Sequence, residues 1–161
     1  MKIAEIETVR VRAEMAAPRG PSVFTYRQRE TLFIKLTTDS GLVGWGETYP
    51  MGGVEAAICD VLRPLLIGRD SLDWRRMHRE MLTATFNNGF AVGGLDLALH
   101  DVWGKALGLP VYALYGGAER QRVQASASLP GSTKSAPLSV NSKSSSAMRP
   151  CNRPSSRNSA V

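Results

Sequence analysis

The sequence predicts an α+β fold, a three-stranded antiparallel meander followed by a helical bundle, with a disordered tail. Three observations predict it. Residues 31–38 alternate, with Leu32, Ile34 and Leu36 on one face against Phe33, Lys35 and Thr37, and Asp39-Ser40-Gly41 supplies a turn before Leu42 to Thr48 returns. From Ala91 to Leu107 the apolar residues Leu95, Leu99, Val102 and Ala106 recur at helical spacing until Gly108-Leu109-Pro110 stops them. The composition changes after Gly131, because the last 30 residues hold ten Ser, three Pro, five Lys or Arg and no acidic residue, aromatic residue or Gly. Such a segment carries too little apolar surface to offset the entropy of ordering it.

Each element follows in order. Lys2 to Glu14 reads as a strand through Ile3, Ile6, Thr8, Val9 and Val11, and the slip of apolar phase between Ile6 and Val9 predicts a bulge or bend there. Met15 to Arg29 carries Pro18, Gly20, Pro21, Phe24 and Tyr26 without a period and reads as a long loop, a kind of segment that is often functional. The 31–48 hairpin completes the meander. In Gly44-Trp45-Gly46-Glu47 one face is bare backbone, so something must pack closely on it. A first helix is expected from about Val54, burying Ala57, Ile58, Val61, Leu62 and Leu65, with Pro64 and Gly68 marking its end. Ser71 is the expected N-cap of a second helix from Leu72 to about Thr85, broken by Asn87-Asn88-Gly89. Ala91, Gly93, Gly94, Ala98 and Gly104 make the third helix thin-sided, as suits one pressed against neighbours. A short helical turn through Leu114, Gly116-Gly117 and an alternating strand from Arg122 to Ser128 follow.

The chain has 20 basic and 14 acidic residues, a net charge of +6 and a pI near 9.7. Five of the basic residues lie in the tail, which leaves the body at +1. That distribution removes the usual inference from a basic chain to nucleic acid, whose footprint belongs on the folded surface. Glu5 and Glu7 interrupt any apolar run at the N-terminus, and no uncharged apolar stretch approaches the roughly 18 residues of a membrane span. Cys59 and Cys151 make neither a disulfide framework nor a metal cluster, and the cytoplasm is the default location.

The string GGLDLALHDVWGKALGLPVYALYGG from Gly93 to Gly117, together with GLVGWGE ending at Glu47 and the order of the elements, resembles the N-terminal capping domain of the mandelate racemase and muconate lactonizing enzyme branch of the enolase superfamily. The resemblance covers about residues 2 to 131. It departs at His100, where the family more often carries Trp. The resemblance implies a division into a capping domain over 1–121, a remnant of a first barrel strand over 122–131, and a Ser/Arg/Pro-rich tail over 132–161 whose composition fits a frameshift near Gly131.

In that family the cap sits over the mouth of a (β/α)8 barrel, and two of its loops close on a small carboxylate substrate. The matching loops are Pro18 to Arg29 and Glu47 to Gly53, which makes Phe24, Tyr26, Glu47, Tyr49 and Met51 the expected specificity residues. The family's racemases, cycloisomerases and dehydratases abstract a proton beside a carboxylate with the help of magnesium, using acids and bases carried by barrel strands. None of those residues is found in this chain, so the expectation is no catalytic residue, no metal ligand, no cofactor of its own, and no activity alone. Its partners would be the parent enzyme's carboxylate and, through the exposed barrel-facing surface around Val111 to Leu114, further copies of itself; no nucleic acid and no membrane are expected. The alternative is a stand-alone binding or regulatory module using the lid loops or the basic tail. Among other residues, Asp96 with His100 and Asp101 with Lys105 share helix faces as pairs, and Arg75, Arg76, His78 and Arg79 form a solvated basic face offset by Asp70, Asp73 and Glu80.

Overall fold

The computed structural model describes residues 1–19, 25–120, 122 and 147–149. Strands β1 (Ile3–Arg19), β2 (Tyr26–Thr38) and β3 (Val43–Thr48) form the expected antiparallel meander, in the order β3-β2-β1. A short β4 (Ala147–Arg149) pairs antiparallel with β1 at Thr8 to Arg10, on the outer edge whose backbone groups would otherwise lack partners. Three residues of the segment read as a disordered tail therefore lie on the sheet. The rest of 132–161, and the first barrel strand beyond Arg122, lie outside the described residues.

Burial on β1 and β2 explains the phase slip. Ile6 and Thr8 face the helices with Leu32, Ile34 and Leu36, while Val9 and Val11 point to the opposite, half-buried face. Thr8 thus occupies the core position that an apolar reading leaves blank. Pairing is regular from Glu5 to Glu14, and the irregularities fall between Ile3 and Glu5 and between Glu14 and Arg19 instead of between Ile6 and Val9. The first of them lets Ile3 and Ile6, which differ in strand parity, both enter the core. The loop read over Met15 to Arg29 is also shorter than expected, because Glu14 pairs with Gln28 and Arg19 with Tyr26. This ribbon is exposed on both faces, so it has no apolar alternation to read.

Residues 54–66 form one helical stretch: α1 (Val54–Ala56), wide π-turns over Ala57–Leu62, and α2 (Arg63–Leu66). Pro64 accounts for the widening, since it has no N–H to give and its ring crowds the carbonyl one turn back. Where the stretch narrows again, Arg63 donates its N–H to the Ile58 carbonyl, five residues back. Val54, Ile58, Leu62 and Leu66 are buried at a constant spacing of four, whereas Val61, expected inside, is 41% exposed. Cys59 is disulfide-bonded, which the reading of the two cysteines does not anticipate.

α3 (Trp74–Ala84) starts later than expected, and Ser71 is not its cap. The Ser71 hydroxyl and N–H both donate to the Met1 carbonyl, at 3.1 and 2.9 Å. They belong to a clasp in which Ile3 donates to Arg69, Gly68 donates to Ile3, and Lys2 bridges Asp70. Arg69 and Arg76 both grip Glu80, the latter at 2.9 Å, and these hydrogen bonds, led by that from Arg69, hold its carboxyl below the usual range. A depressed folded-state pKa contributes stability above the ordinary carboxylate pKa, and that contribution fades as pH falls through the folded value. Glu80→Gln is expected to remove this part of the acid dependence, so the difference in urea midpoint between variant and parent should shrink from neutral to acid pH.

α4 (Gly89–Leu107) is the central helix, capped by the Asn88 side chain accepting from Ala91 N–H at 3.1 Å and ended by Gly108 at φ 66°. It lies against the bare face of β3. A Cβ on Gly44 would collide with the Ala98 carbonyl, and one on Gly46 with the Gly94 carbonyl. Asp101, ion-paired with Lys105 at 2.6 Å, also accepts from the Trp45 N–H, while Lys105 donates to the Val43 carbonyl, so this pair bolts α4 to β3. His100 is buried beside Trp74, Trp103 and Tyr115. Its Nδ1 lies 2.7 Å from the Asp96 carbonyl, which only accepts, so Nδ1 carries the hydrogen and Nε2 accepts from the Tyr115 hydroxyl. That contact ties α5 (Val111–Leu114) back onto α4, and although the Tyr115 ring is largely exposed, desolvation of its hydroxyl, reinforced by the Asp96 charge, pushes the phenol pKa up. No helix of the described residues is long and apolar enough to cross a membrane.

Candidate functional site

β2 runs past the end of β3. The last pair between them is Leu32 with Thr48, whereas β1 and β2 stay paired out to Arg19 and Tyr26. The projecting ribbon and the chain leaving β3 bound an open cleft of about 680 Å³. Val11 and Ala13 of β1, Tyr26 and residues 28–31 of β2, Glu47 and Thr48 of β3, Tyr49 and Leu97 of α4 line it.

Three of the five expected specificity residues, Tyr26, Glu47 and Tyr49, therefore meet at one place. Tyr26 and Tyr49 are 43% and 50% exposed, so both present aromatic surface to the cleft. Glu47 accepts from the Thr31 hydroxyl at 2.8 Å, which orients its carboxylate along the cleft wall. Met51 is 47% exposed but does not line the cleft. Phe24 lies outside the described residues.

The turn after β3 is pinned at both ends. Thr48 donates its hydroxyl to the Phe90 carbonyl at 2.7 Å, and Glu55 on α1 accepts from Thr8 at 3.2 Å and Arg10 at 2.9 Å. Between them Gly53 takes φ 84°, a left-handed conformation that favours glycine. On the facing strand Glu30 is held by Arg12 at 2.6 Å and Gln28 at 3.1 Å, with Arg10 at 4.0 Å. These pairs are exposed, so their role is to set directions more than to add stability.

Sequence reasoning missed Gln28, Glu30, Thr31 and Leu97, and it assigned Arg29 no role beyond ending a loop. Leu97 did leave a signal, since it is an apolar residue off the Leu95–Leu99 stripe of its helix. Asp96 and His100, which share a helix face, are engaged in the packing of α5, with His78 on Asp96 at 3.1 Å. Among the described residues no group of three or more His, Cys, Asp or Glu is placed to hold a metal ion. The donors among those residues do not fit a magnesium centre.

Residues 3–116 match the family described as mandelate racemase / muconate lactonizing enzyme, N-terminal domain. Among curated proteins, the L-Ala-D/L-Glu epimerase of Bacillus subtilis (strain 168) is 33% identical over 125 residues, covering 73% of this chain and 34% of that protein. A D-galactonate dehydratase of Verminephrobacter eiseniae is 39% identical over 132 residues, covering 77% and 30%. Among solved structures, N-succinyl Arg/Lys racemase from Bacillus cereus aligns with a TM-score of 0.68 at 29% identity, over 75% of this chain and 35% of that one. Muconate lactonizing enzyme from Pseudomonas fluorescens, complexed with muconolactone, gives 0.68 at 31%, over 74% and 35%. The chain spans about a third of the length of these relatives. With its meander, its bundle and most of its length inside the match, the chain belongs to the mandelate racemase / muconate lactonizing enzyme family of the enolase superfamily, as an N-terminal domain.

Proposed function

We propose that this chain is a substrate cap, the lid and specificity domain of a magnesium-dependent racemase, cycloisomerase or dehydratase acting on a carboxylate, and that it has no activity alone. The observation that carries the reading is the cleft in which Tyr26, Glu47 and Tyr49, from segments on either side of the hairpin, face one space. Their chemistry suits a lid. Two aromatic rings exclude water from a bound ligand, and one oriented carboxylate reads its hydroxyl or ammonium groups. Abstraction of the proton, and the metal that would stabilise the resulting charge, belong in this reading to the barrel that the family resemblance implies.

The test joins the chain to the barrel of the V. eiseniae dehydratase in place of that enzyme's own N-terminal domain. Deuterium incorporation beside the carboxylate is then followed across a panel of sugar acids and dipeptides. The chain alone is expected to show none above a heat-killed control, and the chimera to show exchange with a substrate preference different from the parent's. Exchange by the chain alone, or a chimera with the parent's preference unchanged, would overturn the reading.

A cap shaped against a barrel exposes the surface meant for it. Leu107, Leu109, Tyr112 and Tyr115 are 49 to 59% exposed on the α4–α5 end, and contiguous apolar surface promotes association. Sedimentation of the chain alone is expected to show mass rising with concentration, and Leu107→Ser with Tyr112→Ser to reduce it; a monomer at all concentrations would contradict this.

A further inference from the structure

We infer that Arg29 is a specificity residue, and that the cleft takes a substrate bearing a second anionic group at the end remote from its reacting carboxylate. The inference rests on the cap reading above and deepens it. Its basis is the balance of charge at the mouth of the cleft. The carboxylate of Glu30 is consumed by Arg12, Arg10 and Gln28. Arg10 is further engaged by Glu55 at 2.9 Å. Glu47 is oriented by Thr31. Arg29 lines the same cleft, and among the described residues its guanidinium has neither an ion pair nor a hydrogen bond.

Its surroundings leave room for a ligand. In the β1–β2 ladder Arg29 stands opposite Ala13, and the next pair on that ladder is Glu30 with Arg12. The small methyl side chain of Ala13 leaves space beside the guanidinium where a larger residue would fill it. Tyr26 and Tyr49 wall the same space, and apolar walls strengthen a charge-assisted hydrogen bond by lowering the local polarity. A planar guanidinium presents parallel N–H donors that match a carboxylate in a way that a lysine would not. On the far side of Thr31, Glu47 offers carboxylate oxygen to a neighbouring hydroxyl or ammonium. The pair therefore reads a terminus that carries an anion next to a hydrogen-bond donor.

The experiment needs no turnover. The full chain, labelled with 15N, is followed through its arginine Nε–H resonances while propionate, or its neutral counterpart propionamide, is added at constant ionic strength. The Arg29 signal is identified by its loss in Arg29→Gln. Propionate is expected to shift it saturably, with an apparent affinity about tenfold or more above that at the exposed Arg27 and Arg79, the difference one well-formed charge-assisted pair makes. Propionamide is expected to leave it in place. In Arg29→Gln the propionate-induced shifts of the Tyr49 and Glu47 amides should vanish, and in Arg29→Lys they should persist but saturate less tightly. A response at Arg29 no greater than at Arg27 and Arg79, or one reproduced by propionamide, overturns the inference. Because this readout involves no barrel, a negative result here is separable from failure of the chimera, which would remove the cap reading itself.

Discussion

Gly46→Val is expected to be the most damaging substitution in the body of the protein. The side chain would enter the Gly94 carbonyl of α4, which is helix backbone and cannot rotate away as a flexible side chain could. The strand or the helix must shift, and a forced shift in a packed core costs about 3 kcal/mol or more. Gly93→Ala provides the control one residue from Gly94. Its Cβ meets nothing within 4 Å, so it should stabilise the helix by roughly 0.5–1 kcal/mol through the better propensity of Ala. Urea unfolding followed by far-ultraviolet circular dichroism separates them; equal midpoints would show that α4 does not press on β3.

The second large effect is expected at Leu99. It is fully buried on the face of α4 that meets the sheet and the preceding helices, and Leu99→Ala should cost about 2–5 kcal/mol, the deleted methyl groups plus the cavity they leave. Leu97, two residues away, is 56% exposed, and Leu97→Ala should stay within about 0.5 kcal/mol. The pair distinguishes fold from site. If Leu97→Ala instead unfolded the protein, the cleft wall would be core, and the lid reading would lose one of its sides.

What was legible in the sequence follows a physical division. Where one face is core and the other water, the pattern is written in side chains, so Leu32, Ile34 and Leu36 gave β2 its phase and Leu95, Leu99 and Val102 gave α4 its stripe. The bare backbone of Gly44 and Gly46 required a close neighbour, and α4 is that neighbour. Where both faces are wet, as in the ribbon beyond Arg12 and Glu30, pairing rests on backbone hydrogen bonds that no side-chain period records. Residues 26–29 thus read as loop. The same blindness concealed half the site. Tyr26, Glu47 and Tyr49 could be singled out through the resemblance, but the company that Arg29 keeps depends on a ladder register that the sequence does not express. Val61 and Ser71 were misplaced for local reasons, a helix widened ahead of Pro64 and a hydroxyl turned to the chain's own first residue.

That last contact bears on the order in which the molecule assembles. Met1, Lys2 and Ile3 are held by residues 68–71, and without the hairpin those partners meet by closing a loop of more than half the domain. Such a closure carries an entropy cost of about 4 kcal/mol, whereas the hairpins β1–β2 and β2–β3 join near neighbours in sequence. During synthesis the leading end of β1 can pair with Thr38 and Asp39 through the hairpin, but its second set of partners, at 68–71, is available only once α2 and the segment after it have emerged. Refolding should show the N-terminal amides gaining protection from exchange after those of the hairpin, and a bulky group fused directly to Met1 should slow that final step without changing the earlier ones.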